Sequence, residues 1–386
     1  MKKTIYRYFF NEFTRYFIVT LFALAAIVWT IQAVNFLDLV TDDGHAFKVY
    51  FLFSMLAFPK IITKLIPFSF LIASMLTILK MEKDNELIVL WTSGLNKIHL
   101  VNLVFRIAVL VMFLQFIMAI VLNPVTLNFS RSLLKNSQLQ FIPSLLKERQ
   151  FNDTIENLTI FVNKKNPDGT YENIFIRDDG KVITQVSQGS ATIFAKFGYV
   201  SPDEKNLILL DGYIQKIEIS SGAENADQKD KINIVKFEKT ALNLSGLSTK
   251  TISDPKIQET STLQILNCLQ YQYVQVDMKK HNCNLNEKSL RDNKIEINRR
   301  FGMPFFIPLI GLIICFLLSS RRGKDSNFHK YFYFFICFLL LVFAEITVRY
   351  SGISFNHSVV YYLIPIGFLP LVYILLVRTF KYENLN

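Results

Sequence analysis

Few side chains in this sequence have the type and spacing for chemistry, and most of them are cations in apolar surroundings. Lys60 and Lys64 stand four residues apart inside an apolar run and so share one helix face. Arg299 and Arg300 precede a second such run, and Arg349 closes a third. A cation at the edge of an apolar layer either snorkels to the interface or holds an anion through charge-assisted hydrogen bonds. Glu345 lies four residues before Arg349, a spacing that predicts an intrahelical salt bridge. Gln32 and Asn35, polar in the first apolar run, read as helix–helix contacts.

The sequence offers no catalytic constellation to go with these cations. Gly180-Lys181 and Gly323-Lys324 lack both the earlier glycine and the following Ser/Thr of a phosphate-binding loop, so ATP is not bound that way. HExxH and GxSxG are missing, and the 5 histidines are scattered. The 4 cysteines form no zinc pattern. Cys315 and Cys337 sit in apolar runs as packing residues, whereas Cys268 and Cys283 are candidates for a disulfide in an oxidising compartment. Neither a cofactor nor a metal is called for, and any energy for work must come from a partner.

The elements that position the cations are membrane spans. The chain of 386 residues is 51% hydrophobic and only 19% charged, with its apolar residues clustered. A span needs about 20 apolar residues. Such runs lie at 17–37, 58–79, 101–122, 301–318, 331–348 and 359–377. The net charge of +11 follows their flanks, so it reads as topology control and not as nucleic-acid binding. Lys2, Lys3 and Arg7 lead the first run, and Lys80, Lys83 and Lys97 lie between the second and third. Arg321, Arg322, Lys324 and Lys330 lie between the fourth and fifth, and Arg378 and Lys381 follow the sixth. The opposite connections hold Asp38, Asp42 and Asp43, or are nearly uncharged. Both termini are therefore expected in the cytoplasm. At about 1.5 Å per residue, Lys60 lies about 30 Å from Lys80, at the outer edge of the hydrocarbon, with Lys64 about 6 Å deeper.

The connection between the third and fourth runs is long enough to fold by itself. LTIFV, YENIFIRD, KVITQV, SATIFAKFGYV, LILLDGYIQKIEI and INIVKFEKTAL alternate between turn residues, which predicts an antiparallel all-β domain, sandwich or barrel. From 261 to 300 the pattern becomes helical and leads back to the membrane. The division is 1–122 for the first three spans, 123–298 for the β domain with its helical return, and 299–386 for the last three.

Between the second and third spans, MEKDNELIVLWTSGLN (81–96) predicts a short amphipathic helix over 82–94. Asp84 is its candidate N-cap, Glu86 falls in the first turn, and Gly94 supplies a left-handed stop. Leu87, Leu90 and Trp91 share one face. Such a helix rests on lipid or docks in a protein groove, and its acidic character suits the groove better.

The order of these parts resembles the LptF/LptG permease family of the lipopolysaccharide export transporter. IYRYFFNEF, KLIPFSFLIASMLTILK, DNELIVLWTSGLN, NLTIFVNKK, YENIFIRDD and EINRRFGMPFFIPL carry the resemblance, which covers nearly the whole chain; the β features are nearer LptF than LptG. It implies a non-catalytic subunit with six spans and a periplasmic β-jellyroll in the Gram-negative inner membrane. The implied partners are an LptB-type ATPase dimer, an LptG-type (or LptF-type) paralogue, and LptC-type and LptA-type bridge proteins. It further implies that Asp84, Glu86, Leu87, Leu90, Trp91 and Gly94 couple to the ATPase, and that the first and fifth spans form a lateral gate. Lys60, Lys64, Arg299, Arg300 and Arg349 would meet lipid phosphates. Val162, Ile174, Ile176, Ile193 and Phe194 would line an acyl-chain path. A mechanical coupler that carries no lipid is the alternative; its spans would pack tightly, with no lysines at the outer rim.

Overall fold

The computed structural model describes residues 2–37, 40, 47–136, 146, 148–153, 157–179, 189–201, 206–218, 231–243, 256–271, 287–319 and 326–383. Asp38, Asp42, Asp43, Cys283, Arg321, Arg322, Lys324 and the KVITQV segment lie outside them. Among the described residues, six helices are long and apolar enough to cross a membrane, at Lys3–Asn35, Phe47–Lys83, Lys97–Leu134, Glu287–Leu318, Lys330–Tyr350 and Phe355–Lys381. Each apolar run lies largely within one of them.

The first span is α1 (Lys2–Asn35) and the second α2 (Phe47–Lys83), followed by the short α3 (Glu86–Thr92). The third span joins α4 (Lys97–Ile117), a π-helical turn at Met118–Leu122 and α5 (Asn123–Asn136). After the strands comes α6 (Thr262–Tyr271). The fourth span is broken: α7 (Glu287–Gly302), a 3-10 turn at Met303–Phe305, α8 (Phe306–Ile314) and a second 3-10 turn at Cys315–Leu318. Pro304 and Pro308, which lack an N–H, fall where its ladder changes type. The fifth span is in α9 (Ser326–Tyr350) and the sixth in α10 (Phe355–Glu383).

The chain forms two compact units. The membrane unit holds Met1–Ile31, Ala57–Asn128 and Lys256–Asn386. Its centre is α8, where Phe306, Ile307, Leu309, Ile310, Leu312 and Ile314 are all buried. Close approach to α10 requires a glycine at Gly302, since a Cβ there would lie 2.1 Å from the Tyr361 ring. Cys315 and Cys337 are buried free thiols, as packing residues should be, and Cys268 is disulfide-bonded. Sequence pattern groups the helical return with the strands, but its packing puts Lys256 onward, with α6 and α7, in the membrane unit.

The second unit holds Gln32–Leu56 and Phe129–Pro255. Its strands are β1 (Phe151–Asn152), β2 (Leu158–Lys165), β3 (Thr170–Asp178), β4 (Gly189–Val200), β5 (Asn206–Glu218) and β6 (Lys231–Asn243). They pair antiparallel in sequence order as one six-stranded sheet. One face is buried: Leu158, Ile160 and Val162 on β2, Ile174 and Ile176 on β3, Ile193 and Ala195 on β4, Leu207 and Leu209 on β5. The alternation then slips by one residue along a line across the sheet. On β3 the buried positions step from Ile174 to Tyr171, and on β4 from Ala195 to Gly198. Asn173, Lys196 and Asp211 stand in register on that line and are skipped by the pairing. Asn173 and Asp211 have φ of 50° and 50°, a left-handed turn that shifts which face the next residue points to.

Candidate functional site

All five cations singled out from the sequence line one cavity of about 690 Å³ in the membrane unit. Lys60 and Lys64 come from α2, Arg299 and Arg300 from α7, and Arg349 from α9. Two carboxylates, Glu296 and Glu345, line it as well, and both are engaged. Arg299 Nη2 donates to Glu345 Oε1 at 3.0 Å, and Arg300 Nε donates to Glu296 Oε1 at 3.0 Å. Lys60, Lys64 and Arg349 have no ion-pair partner among the described residues. Three of the five cavity cations thus lack an ion pair among the described residues.

Two of the arginines differ from expectation. Arg300 is 3% exposed, and its other N–H groups go to Thr262 Oγ1 at 2.8 Å, the Thr260 carbonyl at 3.2 Å and the Gln258 carbonyl at 3.3 Å. With every N–H used, it straps the segment before α6 to α7 and has no donor left for a phosphate. The predicted Glu345–Arg349 bridge is replaced by the Arg299–Glu345 pair. Packing of α7 against α9 offers Glu345 a partner across the helices, which leaves Arg349 without an ion pair among the described residues.

The sequence reading missed the polar residues beneath these cations. Pro67 lacks an N–H, so the Thr63 carbonyl four residues earlier loses its helical donor. Gln115 Nε2 on α4 approaches that carbonyl at 3.4 Å, and Asn123 Oδ1 lies 3.2 Å from Thr63 Oγ1. All three residues line the cavity, with Ala119 of the π-helical turn between them in sequence. The only advance signal was polarity inside apolar runs. For Glu296 a better one existed, its position four residues before Arg300.

At the Lys83 end of α2, α3 is shorter than predicted. It starts at Glu86, and Asn85, not Asp84, is the N-cap residue, left-handed at φ 58° with no side-chain cap. Asp84 instead continues the turn of α2, its N–H reaching the Lys80 carbonyl at 2.9 Å. Gly94 is left-handed at φ 79°. The Leu87, Leu90 and Trp91 face turns inward: Leu87 belongs to the membrane core, and Leu90 and Trp91 pack on it. Lys97 Nζ lies 5.6 Å over the Trp91 ring. The outward residues are Ile88 and Val89, 59% and 64% exposed. The apolar stripe thus fastens the helix to the membrane core.

The model of the lipopolysaccharide export system permease LptF/LptG family matches residues 7–379. The chain belongs to that family. It is also 28% identical over 173 residues to an uncharacterized protein of Rickettsia prowazekii (strain Madrid E), an overlap of 45% of this chain and 48% of that relative. The chain thus spans about half the length of that curated relative.

In this LptF/LptG family member the five apolar residues assigned to one path divide between two faces. Val162, Ile174, Ile176 and Ile193 lie together in the buried face of the sheet. Phe194 alternates to the other face, where Phe175 is 5.1 Å and Tyr213 4.9 Å away between ring centroids. Adjacent residues of a strand point to opposite faces, so Ile193 and Phe194 cannot share a path along one face.

Proposed function

We propose that this chain is a permease subunit, LptF-type, of an ABC transporter that extracts lipopolysaccharide from the inner membrane and passes it to a periplasmic bridge. Both termini and α3 face the cytoplasm, and the sheet faces the periplasm. Lys60, Lys64 and Arg349 hold lipid phosphates, with Arg299 in reserve through its exchangeable bond to Glu345. An LptB-type ATPase dimer docks on α3 and supplies the energy. An LptG-type paralogue completes the membrane domain, and LptC-type and LptA-type proteins receive the lipid. The buried residues Val162, Ile174, Ile176 and Ile193 bound the acyl-chain route.

The observation that supports this reading is the cavity with three cations that have no ion pair among the described residues. Unpaired charge within a membrane unit is costly and is kept where a ligand of opposite charge completes it. A coupler that moves no lipid would have no use for a cavity of about 690 Å³. Copurification from native membrane tests the reading. Mass analysis is expected to find a phosphorylated glycolipid, an ATPase and a paralogous permease. Recovery of the chain with ordinary phospholipid alone would overturn it.

A further inference from the structure

Gln115 brings a whole amide into the cavity wall from the apolar run of α4, and little there satisfies it. The residue is 4% exposed. Its Nε2 is 3.4 Å from the Thr63 carbonyl, long for an N–H···O bond. Its Oε1 has no hydrogen-bond partner among the described residues. The orientation of the amide is fixed by chemistry: the Thr63 carbonyl can only accept, so Nε2 faces it and Oε1 is the group left over. A buried acceptor without a donor costs free energy, and an apolar side chain of the same shape would not. The π-helical turn Met118–Leu122 begins three residues on, a local irregularity that recurs at functional sites. Thr63 directly precedes Lys64, so Gln115 stands level with Lys64 and about 4.5 Å inward from the level of Lys60.

We infer that Gln115 is a specificity-determining residue, whose Oε1 accepts a hydrogen bond from an N–H or O–H group at the head of an acyl chain of the bound lipid. The inference rests on the proposed binding of lipid phosphate by Lys60 and Lys64. The terminal torsion of glutamine is soft, and the long contact to Thr63 holds it weakly, so Oε1 turns toward a donor that enters the cavity. An acceptor at this level selects by chemistry. An N-acylated amino sugar that carries a phosphate presents an amide N–H close to that phosphate, and a 3-hydroxyacyl chain presents an O–H. A diacylglycerol phospholipid joins its chains through esters, which only accept. It would leave Gln115 Oε1 as unsatisfied as it is in the empty cavity, and so bind less well.

The test crosses a change in the protein with a small change in the lipid, using the complete transporter in nanodiscs and reading lipid affinity. The reference lipid is a bisphosphorylated amino-sugar disaccharide with amide-linked 3-hydroxyacyl chains. One analogue has esters in place of the amides, a second lacks the 3-hydroxyl groups, and phosphatidic acid supplies phosphate with neither donor. The unsubstituted protein is expected to bind the reference lipid about fivefold more tightly than one of the two analogues, and that analogue identifies the donor. Gln115→Met, close in volume, is expected to bind the reference lipid and both analogues alike, while its affinity for phosphatidic acid stays within about twofold of the original. An equal loss for every lipid, phosphatidic acid included, would make Gln115 a brace for the Thr63 carbonyl and overturn the inference. An unsubstituted protein that binds the reference lipid and both analogues equally overturns it without recourse to any variant. Failure of the phosphate reading shows separately, as equal binding of the reference lipid with and without its phosphates.

Discussion

Removing the unpaired cations separates a phosphate site from a merely amphipathic hollow. Lys60, Lys64 and Arg349 have no carboxylate partner among the described residues, so Lys60→Gln, Lys64→Gln and Arg349→Gln delete charge without orphaning an acid. A hydrogen bond to a charged group contributes about 1.5–3 kcal/mol. Lys64 and Arg349 are exposed and Lys60 is half-buried, so screening puts each contribution at the lower end. Each single change is then expected to weaken binding of a bisphosphorylated glycolipid about tenfold. Lys60 and Lys64 are one helical turn apart and, on the proposed function, meet the same anion, so the double variant should lose about 30-fold, less than the product of the two. The assay is binding of labelled lipid A to the transporter in nanodiscs at fixed ionic strength, beside the same lipid stripped of phosphate. The unsubstituted protein should prefer the phosphorylated lipid, and the double variant should lose that preference. Equal affinity for both lipids, or a double variant within about twofold of the original, would refute the reasoning.

The remaining expectations concern support and coupling. Ile88→Arg should leave thermal stability within about 0.5 kcal/mol, because the side chain already faces outward, yet abolish ATPase recruitment in a pull-down. Trp91→Glu should cost about 3 kcal/mol in a denaturation assay, since it uproots α3 from the membrane core. Arg300→Leu leaves buried Glu296 with only the longer Arg299 contact at 3.8 Å and should cost about 3 kcal/mol; Arg300→Lys should recover only part, lacking the guanidinium fork. Burial raises the Tyr171 pKa, so the folded chain holds that proton longer than the unfolded one. Its share of stability is complete below about pH 10 and is lost as pH rises further, and Tyr171→Phe should remove that part of the alkaline decline in a melting series.

The sequence by itself determined the spans, because a run of about 20 apolar residues has no other stable place. It also determined the strands, whose alternation and turn residues act locally, and it named every cation now found in the cavity. The left-handed stop at Gly94 was legible too, since glycine adopts that backbone without a steric penalty. What the tertiary structure decided was partnership. Whether Arg300 meets a ligand or a backbone, and whether Glu345 pairs along its own helix or across to Arg299, depends on which segments pack together, and residue spacing does not encode that. The same holds for α3, where periodicity marked an apolar face but not whether that face looks inward or out. The inward answer came from the membrane core offering Leu87 and Trp91 a place to bury, which left Ile88 and Val89 outside.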